Sequence, residues 1–445
     1  MHNMTKVAII GGGLAGCEAA WQLAKREIPV SLFEMRPHVK TPAHQTGSLA
    51  ELVCSNSFKS VDIGNAHGLL KAEMEAADSL IIHAAKASAI PAGSALAVDR
   101  DLFSREIETS LNSLDKFNCI QQEITDFKDL QKEHSHVIIA GGPLLSDSLA
   151  QSLNRTLGEQ GLFFYDAIAP IVLADSINME IAYKASRYNK GEADYINCPM
   201  NETEYLEFVY DLVDSKKVPF RDFEQAKHFE GCLPIEVMAE RGVSTLSFGP
   251  MKPVGLIDPR TGKQPWAVLQ LRQENQNASL YNLVGCQTRM TWPEQKRVFR
   301  KIPGLENCDF ARMGSMHRNT YINAPNHLNS KLELNKEKGV YIAGQLSGVE
   351  GYAESSAMGL WAAINIVADI RQKDPVQVNP QTMIGALVNY LLTASPQNFQ
   401  PMNANFGLLP PPETKGKVKK RDRKRLQAEL AFEKWKSQLH ELEWN

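Results

Sequence analysis

No run of this chain is apolar for the roughly 18 to 20 residues that crossing a bilayer requires. Nor does Met1 to Lys6 carry a basic segment and a cleavable apolar stretch ahead of the first strand, so a cytoplasmic protein is expected. Cysteine is sparse: seven residues in 445, odd in number, scattered and never paired as C-x-x-C. That argues against a disulfide framework and against a structural zinc site, and it leaves the small buried hydrophobe as the default for each thiol. An excess of either charge is also missing. A formal net charge of -3 excludes a uniformly basic nucleic-acid binder, although not a local basic patch. Such a patch lies at Lys415 to Arg425, KGKVKKRDRKR, where a solvated tail and a phosphate contact both remain open. Internal repeats and other low-complexity tracts are absent.

A chain of 445 residues exceeds what one typical core supports, which implies two domains or one domain with a large insertion. Lys6 to Gly11 reads as a buried strand, Leu14 to about Arg26 as an apolar helix, and Val30 to Glu34 as the next strand, a βαβ unit. Similar strands recur far away, at His136 to Ala140 before Gly141-Gly142-Pro143 and at Gly339 to Ala343 before Gly344. From about Tyr165 to Asn329 the texture shifts to tyrosines, short alternating segments and Gly/Pro punctuation, as expected of a mixed, largely antiparallel insertion. The predicted fold is therefore α/β, a Rossmann-type domain (1–164 and 330–445, with a C-terminal helical section), assigned below as FAD-binding from its glycine motifs, interrupted by a mixed α+β insertion domain (165–329). Asp99 is expected to cap a helix reaching Leu114, and a long apolar helix is expected over Ser356 to Arg371.

Gly11-Gly12-Gly13-Leu14-Ala15-Gly16 satisfies G-x-G-x-x-G between a strand and a helix. That context allows a tight turn, a close approach of backbone to a pyrophosphate and a helix N-terminus facing the phosphates. Glu34 ends the second strand, where a carboxylate accepts from ribose hydroxyls and disfavours a 2′-phosphate. The late segment Gly339 to Gly359, GVYIAGQLSGVEGYAESSAMG, places Gly344, Gly348 and Gly351 ahead of a helix whose N-terminus would face a flavin ring. Together these favour FAD over NAD as the tightly held nucleotide.

The chain resembles the folate- and FAD-dependent tRNA uracil-54 methyltransferases, the TrmFO family, relatives of the larger GidA flavoproteins. The resemblance runs through LFEMRP (32–37), TPAHQT (41–46), ELVCSNSFKS (51–60), IPAGSALAVDR (90–100), DYINCPM (194–200), FEGCLPIEVMAERG (229–242), FGPMKPVGLIDPRTG (248–262), HRNTYINAP (317–325) and GVEGYAES (348–355). It implies transfer of the one-carbon unit of 5,10-methylenetetrahydrofolate to C5 of a uridine, with NADH or NADPH as reductant and structured RNA, a tRNA, as partner. No obligatory protein partner is signalled.

Such chemistry needs a thiolate that adds to uracil C6, an acid/base group at C5 and a reductant. By the resemblance, Cys232 is the nucleophile and Cys54 the second catalytic cysteine, acting as acid/base. Cys17, Cys119, Cys198, Cys286 and Cys308 are expected to be structural. His44 is a candidate for stacking on the pterin or touching flavin, against the plainer reading of a loop histidine bonding backbone. Lys252, Arg272 and Arg318 are candidates for an anionic folate tail or RNA phosphate, against ordinary surface residues. Glu354 is expected to lie just before the last helix and to cap it. The rival readings are the same chemistry on ribosomal RNA, a GidA-like enzyme acting on a wobble uridine, and a non-catalytic RNA-binding flavoprotein.

Overall fold

The computed structural model describes residues 5–41, 43–158, 162–189, 192–219, 233–411 and 420–444, with the side chains of 162–166, 189, 317–318 and 420–421 left out of that description. Its first layer is a five-stranded parallel sheet in the order Val340–Ile342, His136–Ile139, Val7–Ile10, Val30–Glu34, Phe117–Gln121. The central strands are buried along their whole length, as expected of a parallel sheet covered on both faces. Phe117–Gln121 lies at the edge and is mostly exposed, which is why no apolar alternation announces it. Cys119 on that strand is exposed, against the expected structural burial, while its neighbours Phe117 and Ile120 pack on the core. Cys17, Cys198, Cys286 and Cys308 are buried.

The helix Leu14–Ala24 returns over this sheet and packs along the helix Tyr352–Ile370. The latter begins four residues earlier than the expected Ser356, since Gly351, at φ +120°, releases the chain straight into the first turn. Asp99 caps its helix as expected, accepting from the N–H groups of Asp101 and Leu102 at 3.1 Å each. A second sheet has six strands, in the order Tyr183–Ala185, Tyr195–Met200, Ala267–Gln273, Leu280–Leu283, Ile171–Leu173, Phe310–Arg312, antiparallel throughout. Its apolar face, with Ile196, Cys198, Leu269 and Leu271, closes a second core against the helix Glu202–Asp214. The antiparallel pair Leu162–Ile168 and Ser315–Tyr321 joins the two layers. No helix among the described residues is long and apolar enough to cross a membrane.

Candidate active site

A cleft of about 390 Å³ opens above the glycine turn and is bounded by both layers. Gly11, Gly13, Leu14 and Ala15 form its floor, Gly344 and Gly351 one side, and Arg272 and Gln287 the roof. Gly11 holds φ +106°, and a Cβ there would lie 2.5 Å from Ala140 O. A Cβ at Gly13 would meet nothing within 4 Å and would project into open space, so the bare backbone leaves room for a diphosphate. Gly12 and Gly16 stand behind that surface. A Cβ on Gly16 would lie 2.0 Å from Gly11 O, so this glycine serves the packing of helix on turn. Gly348 also stands off the cleft, under the Phe399 ring, whose Cζ a Cβ would approach to 2.4 Å.

Glu34 lines the cleft and accepts from Gly12 N–H at 2.8 Å and from Arg36 N–H and Nε at 2.9 and 3.0 Å. Burial alone would raise its pKa, but the hydrogen bonds and charge of Arg36, with the Gly12 N–H, outweigh it and hold the carboxyl below its ordinary value. It is therefore an ionised acceptor at the end of the second strand. The longest of its contacts, Arg36 Nη2 at 3.2 Å, is the one a ribose hydroxyl would displace most easily. The open cradle at Gly13, the charged Glu34 and a helix N-terminus at Tyr352 together fit the adenosine diphosphate and ring system of FAD.

Cys54 is partly buried and lies on the cleft wall. The loop carrying it is tied down from three directions. Tyr352 Oη accepts from Cys54 N–H and Ser55 N–H at 3.0 Å each and donates to Ser55 O at 2.8 Å. Burial first, and the Cys54 charge second, push this phenol well above its ordinary pKa, so it stays a donor. Arg272 donates to Ser55 Oγ at 2.9 Å and to Asn56 Oδ1 at 3.0 Å, while burial draws its pKa down against the opposing charge of Glu274. Arg100 donates to Leu52 O and pairs with Glu274 at 2.9 Å. Asn56 donates to Val98 O and Gln273 O, both at 3.0 Å.

The structure thus brings Cys54, Arg272 and His44 to one cleft. His44 Nδ1 lies 2.6 Å from Thr41 Oγ1, which orients the ring. Lys252 is exposed and stands away from the cleft, its carbonyl receiving Arg187. Cys232 lies outside the described residues, as does the side chain of Arg318, whose backbone pairs with Tyr165. Lys415 to Lys419 lie outside them too. Glu354 sits inside the first turn of its helix and does not cap it. It instead bonds His67 Nδ1 at 3.1 Å and accepts from Ala404 N–H at 3.0 Å. Burial would raise its pKa, but His67 and then the Lys59 charge outweigh that and bring it to about 2. Tyr352, Arg100 and Asn56 were not singled out from sequence, and only their presence inside the family-like phrases marked them. Among the described residues no cluster of three or more His, Cys, Asp or Glu could hold a metal.

The family described as Glucose inhibited division protein A matches residues 6–374. A curated relative from Geobacter sulfurreducens, named methylenetetrahydrofolate-tRNA-(uracil-5-)-methyltransferase TrmFO, is 53% identical over 96% of this chain and 97% of its own. A relative of the same name from Dictyoglomus turgidum is 54% identical over 96% and 97%. Among solved structures, Aquifex aeolicus GidA in its form II crystal superposes with a TM-score of 0.70 at 15% identity, covering 100% of this chain and 74% of that one, a likeness that speaks for the fold. With coverage this complete at more than half identity, the chain belongs to the Glucose inhibited division protein A family and, within it, to the TrmFO group.

Proposed function

We propose that the protein methylates C5 of a uridine in RNA, uridine 54 in the T-loop of tRNA, taking the carbon from 5,10-methylenetetrahydrofolate with FAD as its cofactor. The observation that carries this reading is Cys54, anchored on the wall of the same cleft whose floor is the glycine turn. Gly11, Gly13, Leu14, Ala15, Glu34, Gly344 and Gly351 would hold the FAD. Bound flavin, reduced by NADH or NADPH, supplies the hydride that turns a transferred methylene into a methyl group.

The residues do the remaining work. C5 of uracil is a weak nucleophile until a thiolate occupies C6, and Cys232 is assigned that addition on its sequence phrase alone. With C6 occupied, C5 attacks the one-carbon electrophile, and its proton must then leave. Cys54 Sγ is assigned the handling of that proton, and the Tyr352, Arg272 and Arg100 anchors keep the sulfur from drifting. His44 would face the pterin. The uracil must leave its stack to reach the cleft, which the T-loop permits more readily than a duplex does. In this reading residues 1–164 and 330–445 form the cofactor domain and 165–329 the insertion; the second core lies wholly within 165–329, while the first also takes in Tyr321, Ile322, Ala324 and Leu328. The protein would act in the cytoplasm.

The test is incubation of purified protein with NADH, methylenetetrahydrofolate and either unmodified tRNA or ribosomal RNA fragments, followed by mass spectrometry for 5-methyluridine. The expected product is 5-methyluridine in the tRNA T-loop. Cys54→Ala and Cys232→Ala should abolish it with flavin still bound. Methylation of ribosomal RNA alone would replace the substrate, and full activity in both cysteine variants would overturn the mechanism.

A further inference from the structure

Three guanidinium groups approach the Cys54 loop, and two of them help to build it. Arg272 and Arg100 spend their hydrogen bonds on Ser55, Asn56, Leu52 and Glu274. The third, Arg312, closes the edge strand Phe310–Arg312 and is partly buried. Its only side-chain hydrogen bond among the described residues runs from Nη2 to Ala43 O at 3.3 Å, and it forms no ion pair there. The neighbouring carboxylate is already engaged: Glu51 accepts from Gln45 N–H at 2.8 Å, Thr46 N–H at 3.0 Å and Arg36 Nη1 at 3.1 Å. Glu274 belongs to Arg100.

A partly buried guanidinium with donors to spare is suited to an anionic ligand that supplies its counter-charge. Burial, followed by the like charge of Arg100, pulls the Arg312 pKa below the ordinary arginine value, and the charges next in influence on it are Cys54, Tyr352 and Glu51. It remains a cation at neutral pH. Ala43 and Cys54 line the cleft, and Arg312 reaches that wall from outside the lining through its bond to Ala43 O. We propose that Arg312 is the receptor for a backbone phosphate of the RNA strand that presents its uridine to Cys54. This rests on the functional reading above. An extruded nucleotide carries its flanking phosphates to the mouth of the pocket, where they fix orientation, and a guanidinium fork matches two phosphate oxygens at once. The carboxylates of a folate tail offer similar oxyanion chemistry. The place of Arg312 behind Ala43, within electrostatic reach of Cys54, favours the strand that carries the base.

The test measures binding of unmodified tRNA to the flavin-loaded protein by fluorescence anisotropy across a potassium chloride series, for wild type, Arg312→Met and Arg312→Lys. Arg312→Met should weaken binding about 10- to 100-fold and lower the slope of log affinity against log salt by roughly 0.7 to 0.9. Arg312→Lys should keep the slope and recover part of the affinity, since it restores charge without the fork. Flavin absorbance and KM for methylenetetrahydrofolate should not move. Unchanged RNA affinity and slope in a folded, flavin-loaded Arg312→Met protein would overturn the proposal. A change confined to the folate KM would do so as well. Wild-type protein that neither binds nor methylates tRNA would overturn both this proposal and the reading beneath it.

Discussion

Arg272 illustrates how much of a reactive cysteine's placement is contributed by residues that never touch its sulfur. Its fork reaches from the antiparallel sheet to Ser55 and Asn56, which flank the turn presenting Cys54. Arg272→Gln should keep a polar group there but release both anchors. Methylation turnover is expected to fall by roughly 100-fold, the scale of a displacement of about 1 Å at a reacting group, with flavin content unchanged. Turnover on tRNA, measured beside the flavin absorbance of the purified variant, checks this; full turnover would show that Tyr352 and Arg100 suffice. Cys54 and Arg272 were both legible as single candidates, one by its phrase and one by its charge. Their linkage was not, because a span of 217 residues separates the arginine from Ser55 and nothing local in a strand encodes which distant loop its side chain will meet. His44 was legible only as an alternative, and Lys252 kept the exposed character common to lysines.

Two glycines of similar size separate the needs of an element from the needs of a ligand. A Cβ on Gly359 would lie 2.1 Å from Ala15 O, so the helix Tyr352–Ile370 presses its backbone onto the helix that begins at the glycine turn. Gly359→Val should drive these helices apart, cost about 1 to 3 kcal/mol or more, and distort the cleft floor at Ala15. Lower thermal stability and loss of bound flavin are expected together. At Gly13 the added carbon meets only open space. Gly13→Ala should therefore leave the melting temperature of the flavin-free protein unchanged while weakening flavin binding, as a titration with FAD would read. If both variants lost stability equally, the distinction between packing and cradle would fail. The same contrast explains which elements the sequence announced. Val7–Ile10 is a continuous apolar run, Val30–Glu34 a short buried strand in which Ser31 and Glu34 are the only polar residues, and Asp99 precedes its helix as a local cap. The helix Met383–Thr393, in contrast, receives at its N-terminus the carboxylate of Glu73, which accepts from Met383 N–H at 2.7 Å and Ile384 N–H at 2.8 Å. Thr382 caps the same helix locally, accepting from Gly385 N–H at 3.0 Å, but the share supplied from 310 residues away leaves no mark in the sequence around it.

Buried carboxyls of this kind set how the whole molecule responds to pH. Glu18 is fully buried in the helix Leu14–Ala24, where it accepts from Ser79 Oγ at 2.6 Å and Ile81 N–H at 3.1 Å and so ties that helix to its neighbour Leu80–Ala87. Burial raises it to about 7, and burial raises Glu73 to about 8, in each case against the opposing pull of hydrogen bonds. The unfolded chain releases these protons near the ordinary glutamate value of about 4.3, while the folded protein retains them. Unfolding therefore releases protons across that interval, and stability must fall as pH rises through it. The contribution of each group is complete below the unfolded pKa and is lost by the time pH exceeds the folded one. Glu354, with its folded pKa near 2, behaves in the opposite sense: it stabilises above the unfolded value and loses that contribution only as pH drops toward 2. It is therefore flat over the neutral range and cannot mask the trend. Urea unfolding at pH 5, 6, 7 and 8 (about one-unit steps) should show wild type losing more stability than Glu18→Gln by about 2 to 3 kcal/mol between the ends of the series, since each unit of unmatched ionisation is worth about 1.4 kcal/mol. The glutamine cannot ionise but keeps an acceptor for Ser79, so its fixed cost appears equally at every pH and cancels in the comparison. A gap between the two proteins that is the same at both ends would mean that Glu18 ionises in the folded state as it does in the unfolded chain, and burial around the nucleotide helix would then have no part in the pH dependence of the fold.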